Sequence, residues 1–372
     1  MKNSRLWKKF IAAGLAATVA VGSLTACGDA NASADNTGKD TQAAGDNAEA
    51  NTIRFGIAPG TIRTALVILA NELGYYEEEG VNVELVEVAD ATSALTSLST
   101  GKNDIDVWGT GIVPDLTFIA NGSDLVIFEG TAAEGGCIIS RPEDADTYKA
   151  LDNLEGTTVA MVRGESSWVV TRAYLLDNGY DVNTIEIKEV DSQANVAQAV
   201  AKGEADLGFL PIEFANSYAE IGIEIVKDVA EISPLYVCCR QVTSSDKLDE
   251  KKAAFVKFTK ANLRAWEYFS DEGNKDEVIA SLAEYSGQTE EYVENYIYIN
   301  STTLTLDPNA SGVETYFNSL VDSGFFADGT DVDITEHIDT TVYKTALDEL
   351  AEANPDNSFY QDLLTTYAQY NE

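Results

Sequence analysis

One unit of strand, turn, helix, glycine and strand occurs twice in this chain, at a constant offset of about 102 residues. The two passages read LVEVADATSALTSLSTGKNDIDVW and IKEVDSQANVAQAVAKGEADLGFL. Glu87-Val88 aligns with Glu189-Val190, Leu98 with Val200, Gly101 with Gly203, Asp104 with Asp206 and Ile105 with Leu207. Strands that alternate with helices bury their apolar faces as parallel sheets covered by helices. Any two βαβ units share this order. The reading taken here is two similar lobes, with strand C-termini and helix N-termini turned toward a common crevice.

The flanking patterns agree with that reading. Thr52–Ile57 alternates as a strand and Ala58–Thr61 is a turn. Ile62–Leu73 has helical apolar spacing and stops at Gly74. Val81–Val88 is a strand, Thr92–Thr100 a helix and Ile105–Trp108 a strand. In the middle of the chain Thr157–Val162 is a strand, Arg163–Ser167 a turn and Trp168–Leu176 a helix. From Lys247 onward helical patterns dominate, and they are expected to cover the first lobe. A body of roughly 320 residues exceeds what one core usually organises.

The N-terminus reads as an export signal. Lys2, Arg5, Lys8 and Lys9 precede an apolar run, Phe10–Val21, too short to span a bilayer stably. Leu24-Thr25-Ala26-Cys27 resembles a bacterial lipobox, which implies cleavage after residue 26 and lipid on Cys27. Residues 27–51 lack aromatic, Ile, Leu and Val side chains, so they are expected to be a disordered tether. The net charge of −38 makes nucleic acid and anionic lipid poor partners. The membrane is expected to be reached through the lipid alone.

Beyond Cys27 the cysteines are Cys137, Cys238 and Cys239, and His337 is the single histidine. No Cys/His spacing suits zinc, and no nucleophile-base pair or phosphate loop appears, so no metal, cofactor or catalytic residue is expected. A disulfide from Cys137 to Cys238 or Cys239 and three small buried thiols are both open.

The order of IRFGIAPG, LANELGYYEEEGVNVELVEV, SLSTGKNDIDVWGTG, LDNLEGTTVAMVRGESS and AVAKGEADLGFLPIEF resembles the nitrate/sulfonate/taurine-type solute-binding proteins of ABC importers, with thiamine-pyrimidine binders as relatives. The resemblance covers about residues 52–340. It implies a two-lobed α/β fold of the type II periplasmic-binding-protein kind, each lobe a mostly parallel sheet flanked by helices. Lobe 1 would be 52–134 and 241–372. Lobe 2 would be 135–240, including crossing strands at 135–140 and 235–241. It also implies a monomer on the outer face of the cytoplasmic membrane, handing a small molecule to an ABC permease.

Candidate ligand contacts follow from chemistry and from that resemblance. Glu165, Ser166 and Ser167 sit where a helix begins and amide donors favour an anion, although the serines could be helix caps only. Thr92 and Ser93 open a similar helix. Thr110 and Gly111 follow a strand, and the glycine permits close approach. Arg63 sits in a first helical turn, where a cation opposes the dipole, hinting at an anionic ligand group. Arg163 precedes the serine turn, and Trp108 and Trp168 could stack on a ligand or fill the core. Glu134, Glu165 and Glu213 would welcome an ammonium or ring N–H. Donors and acids together suit an organic anion or zwitterion of the aminosulfonate type, with an amine-bearing heterocycle as the alternative. An enzyme like those that make the thiamine pyrimidine is the least favoured reading, because that chemistry needs histidine.

Overall fold

The computed structural model describes residues 49–372, apart from 103, 301 and 327–329. The signal segment, Cys27 and the tether up to residue 48 lie outside the described residues. The last tether residues join the fold: Glu49 pairs with Arg54 at 2.6 Å, three residues ahead of the expected start.

The strands form two sheets. The first holds β1 (Thr52–Ile57), β2 (Asn82–Glu87), β3 (Val107–Gly111), β4 (Leu125–Glu134), β10 (Val237–Ser244) and β11 (Thr302–Leu304), in the order β11-β4-β10-β3-β1-β2. The second holds β5 (Gly136–Ser140), β6 (Thr158–Val162), β7 (Glu186–Val190), β8 (Leu207–Pro211) and β9 (Glu224–Asp228), in the order β7-β6-β8-β5-β9. Helices of seven residues or more are α1 (Ala65–Glu72), α2 (Ala91–Ser99), α3 (Ile112–Ala120), α4 (Ser166–Asp177), α5 (Gln193–Ala201), α6 (Ile212–Tyr218), α7 (Lys252–Ser270), α8 (Lys275–Ser286), α9 (Ala310–Asp322), α10 (Thr341–Ala353) and α11 (Ser358–Asn371). Among the described residues no helix is long and apolar enough to cross a membrane.

Both sheets are mixed, where mostly parallel sheets are expected from the sequence. β1 pairs in parallel with β2 and β3, and β6 with β7 and β8. The strand that enters each sheet from the other, β10 in the first and β5 in the second, runs antiparallel to both neighbours. A chain arriving from the opposite half comes in reversed; β10 inserts between the earlier strands β3 and β4, and β5 takes the later strands β8 and β9 on its two sides. The two sheets therefore share the order β2-β1-β3-β10-β4 and β7-β6-β8-β5-β9.

The internal repeat is structural, with a correction to its register. α2 and α5 keep the offset, and their caps match: Asp90 accepts from the Ser93 amide and Ser192 from the Asn195 amide. Past the helix the register slips by two residues. Asp106, not Asp104, corresponds to Asp206: Asp106 Oδ2 accepts the Arg54 amide and Asp206 Oδ2 the Thr158 amide, each at 2.8 Å. Each aspartate thereby ties the start of its strand to the start of the neighbouring one. Only Asp106 is also buried against Lys247 (2.8 Å) and Lys251 (3.1 Å).

One expected boundary shifts, and one C-terminal helix packs elsewhere than expected. Val237–Ser244 pairs wholly within the first sheet, so the second crossing falls at Leu235-Tyr236 and residues 237–240 do not belong with the second half. α9 packs on α4, with Ser319 Oγ donating to the Val169 carbonyl at 3.1 Å, so the C-terminal helices do not all cover the first sheet. The others do. α7 presents Phe255 and Phe258 three apart on its buried face, the first edge-on to Phe128 at 5.1 Å, the second stacked on Tyr76 at 5.4 Å. A second apolar cluster joins Ile127 and Val242 of the first sheet to Val159, Leu207 and Phe209 of the second, with Trp168 and Tyr316 among them.

Candidate functional site

The two crossings lie side by side and are tied together. Glu134 (φ 64°) and Leu235 (φ 57°) both adopt the left-handed region that side chains disfavour. Glu134 Oε1 accepts the Leu235 amide at 2.7 Å, and Glu134 Oε2 accepts Thr303 Oγ1 at 2.6 Å. The Tyr236 hydroxyl accepts the Gly136 amide at 2.8 Å. Glu134 faces the crevice as expected, yet one of its oxygens is occupied by the crossing and the other by Thr303 of β11.

Above these crossings lies a cavity of about 330 Å³, lined from both halves. The first half contributes Arg63, Gly111, Ile112, Val113, Pro114, Ala132, Glu134, Cys238, Tyr296 and Thr302; the second contributes Gly136, Val162, Arg163, Gly164, Glu165, Ser166, Pro211, Glu213 and Tyr236. The size and the mixed lining suit a small polar organic molecule. Gly164 (φ 75°) is required where it stands, because a β-carbon there would approach Val113 Cγ1, across the cavity, to 2.9 Å.

Seven of the thirteen residues singled out from sequence line this cavity: Arg63, Gly111, Glu134, Arg163, Glu165, Ser166 and Glu213. The other six do not. Thr92 and Ser93 are exposed at the start of α2, where Asp90 already caps the helix. Trp108 is 2% exposed and packs in the core against Gly56. Thr110 is a ladder residue opposite Arg240. Ser167 is fully buried and serves Glu165, while Trp168 stands edge-on to Phe209 at 5.3 Å.

The N-terminus of α4 differs from the expected serine turn. Glu165 is the cap, and the serines are the first two helical residues. Glu165 Oε1 accepts from Ser167 Oγ at 2.9 Å and Oε2 from Gln193 Nε2 at 3.3 Å. An acid thus occupies the position where an anion was expected. Burial pushes the Glu165 carboxyl above its usual range, against the lowering effect of these hydrogen bonds. Ser166 Oγ accepts from the Tyr316 hydroxyl at 3.0 Å, which joins α9 to the site.

Arg63 reaches across the cavity: Nη2 lies 3.5 Å from Glu213 Oε1, and Nη1 lies 3.8 Å from Cys239 Sγ. Burial raises the Glu213 carboxyl too. Arg163 sits at the rim, donating to the Phe325 carbonyl at 2.8 Å with its guanidinium 4.7 Å from the Phe325 ring centre. All three cysteines of the body are free, so neither alternative disulfide forms. Cys137 donates to the Leu210 carbonyl inside the second sheet, while Cys238 lines the cavity and Cys239 is fully buried beside it.

Sequence reasoning passed over Tyr236 and Tyr296, each 4% exposed against the cavity, and Asp115. Asp115 lies one residue past the cavity-lining run Ile112–Pro114, fully buried, with neither carboxyl oxygen partnered. Burial holds its carboxyl well above the usual range. The signal that could have found it is an acid inside the apolar stretch IVPDLTFIA.

Known proteins place this architecture. The sulfonate-binding protein SsuA of Methylobacillus flagellatus superposes with a TM-score of 0.62 at 17% identity, over 80% of this chain and 94% of that one. The nitrate-binding protein NrtA of Synechocystis gives 0.60 at 15% identity, over 83% and 90%. A Candida albicans protein described as having the generic periplasmic-binding-protein fold gives 0.52 at 16% identity, over 78% and 96%. At these identities the likeness is one of fold. No curated protein sequence matches. The sequence profile of the NMT1/THI5-like family matches residues 62–275, more than half the chain, and the protein belongs to that family, on a periplasmic-binding-protein fold.

Proposed function

We propose that this protein is the extracytoplasmic solute-binding component of an ABC importer, taking a small organic zwitterion of the aminosulfonate type into the cavity between its two halves. The observation that carries the reading is the Arg63–Glu213 pair, which meets across a small cavity of mixed lining built from both halves. A ligand offering an anionic group to Arg63 and an ammonium to Glu213 and Glu165 would replace that pair by two. Contacts to both halves are what drive closure in such a fold. Structural neighbours that bind sulfonate and nitrate support capture rather than catalysis.

A second reading, an amine-bearing heterocycle such as a pyrimidine, is favoured by one feature. Glu165 is a desolvated carboxyl with raised proton affinity, beside a cavity whose walls include Tyr236 and Tyr296. Such a carboxyl can both donate to a ring nitrogen and accept from an amino group.

A thermal-shift panel of taurine, alkanesulfonates, nitrate, bicarbonate, amino acids and aminopyrimidines separates the two. A true ligand at about 100 times its Kd adds roughly 2.7 kcal/mol of stability. Taurine-type compounds should shift the wild type and lose the effect in Arg63→Ala. A shift by aminopyrimidines alone would favour the heterocycle, and silence across the panel would count against small-solute capture. Export by the N-terminal signal and anchoring through Cys27 complete the proposal. A Cys27→Ser protein should bind the same ligand yet appear in the soluble fraction, and retention on the membrane would remove the anchor from the account.

A further inference from the structure

Adjacent residues in a regular strand point to opposite faces, so a Cys-Cys pair in β10 should place one thiol on each side of the sheet. It does not. The ladder between β10 and β4 slips between Val237 and Cys239 and again between Cys239 and Arg240, leaving Cys238 without a partner on β4. Such a bulge re-aims side chains. Here it brings the two sulfurs to 3.4 Å, with Cys238 on the cavity wall and Cys239 fully buried behind it. Arg63 Nη1 lies 3.8 Å from Cys239 Sγ. Cys137 sits in the other sheet and has no part in this contact.

We propose that Cys238 and Cys239 form a redox site opening into the cavity, which small organic disulfides oxidise to a vicinal disulfide. The pair is arranged to carry one proton between two sulfurs. The Cys238 S–H and then the Arg63 guanidinium favour thiolate at Cys239, lowering that thiol against the opposing effect of burial, while Cys238 is raised by its bond to Cys239. The thiolate is the attacking species in exchange, and only Cys238 faces a disulfide in the cavity. Proton transfer from Cys238 to Cys239 therefore precedes attack. The Cys238 sulfur then bonds to one sulfur of R–S–S–R and expels RS⁻. The Cys239 thiol gives its proton to a leaving RS⁻, attacks Cys238 Sγ and displaces the second thiolate. The sum is one shared proton and two protein sulfurs plus R–S–S–R, giving the vicinal disulfide, one RSH and one RS⁻. The protein pair loses two electrons and the organic disulfide gains them.

The test uses the folded wild-type protein with excess cystine at neutral pH, followed by denaturation, alkylation of remaining thiols and trypsin. Both cysteines fall on the peptide Asp228–Arg240. The expected result is that this peptide becomes lighter by two hydrogens and escapes alkylation, while Cys137 is still alkylated. In Cys239→Ser the adduct should stay on Cys238, and in Cys238→Ser neither position should react. A wild-type peptide that remains fully alkylated, or that keeps a stable adduct on Cys238, overturns the proposal. So does a Cys238→Ser protein that is oxidised at Cys239 as fast as the wild type. The wild-type mapping does not depend on either variant folding.

Discussion

At the residue scale, buried ionisable groups dominate the chemistry of this chain. Glu129 is fully buried in β4, accepting from Thr259 Oγ1 at 2.6 Å and Asn262 Nδ2 at 3.0 Å. Desolvation raises its carboxyl from 4.5 to about 8, outweighing those hydrogen bonds. A carboxyl raised on folding contributes stability that is complete below about pH 4.5 and is lost as pH rises toward 8. Each unit of such a shift corresponds to about 1.4 kcal/mol. Glu129→Gln should flatten the fall in denaturation midpoint between pH 5 and pH 8, and a slope equal to the wild type would refute the assignment. Asp106 is buried as well, and it pairs with Lys247 and Lys251, both nearly buried. Asp106→Ala should cost about 3–5 kcal/mol, because two ammonium groups lose their shared partner. Urea titration measures it, and a loss under about 1 kcal/mol would mean that the lysines find water instead.

At the element scale, close backbone approach decides which substitutions the sheets accept. β4 runs past the segment 305–307 so tightly that a β-carbon on Gly130 would lie 2.5 Å from the Thr305 carbonyl oxygen and 2.8 Å from that of Asp307. Neither backbone atom can swing aside as a side chain would. Gly130→Ala should therefore destabilise the fold by about 1–3 kcal/mol, whereas an alanine at Gly111, with open space around it, should be tolerated. Equal melting temperatures for the two variants would contradict this. The strands and helices of the repeat were readable from their apolar spacing, and α2 and α5 start within one residue of expectation or inside the repeated passage. The serine turn was misread, because Glu165 rather than a serine caps α4, and a carboxylate cap looks like any other acid in so acidic a chain. The bulge at Cys238 left no mark either, since VCCRQVTS has the composition of an unbroken strand.

At the scale of the whole molecule, the halves are not independent. One apolar cluster runs from Ile127 and Val242 through Tyr316 and Trp168 to Leu207 and Phe209. α9, which follows β11 of the first sheet, packs on α4 of the second. Heating in the ligand-free state should give one cooperative transition, with calorimetric and van't Hoff enthalpies equal. Two resolved transitions would show that the shared cluster does not couple the halves. The closed pairing of Arg63 with Glu213 belongs to this scale as well. The two residues are 150 positions apart, and although each is a candidate ligand contact by itself, nothing in the sequence pairs them until the two sheets face one another.

The sequence by itself determined the two-fold βαβ plan, the helical C-terminal region and about a third of the residues that line the cavity. Those features rest on local periodicity and on turns that follow strand ends, and both are written along the chain. Tertiary structure decided the rest. The strands that cross between sheets run antiparallel because they arrive from the opposite half. Trp108 and Trp168 pack into the core rather than the cavity, because the faces of their elements are assigned only when the layers stack. The charge of the cavity, with Glu165 at a helix cap and Glu213 meeting Arg63, follows from desolvation and from distances across a space that no linear pattern records.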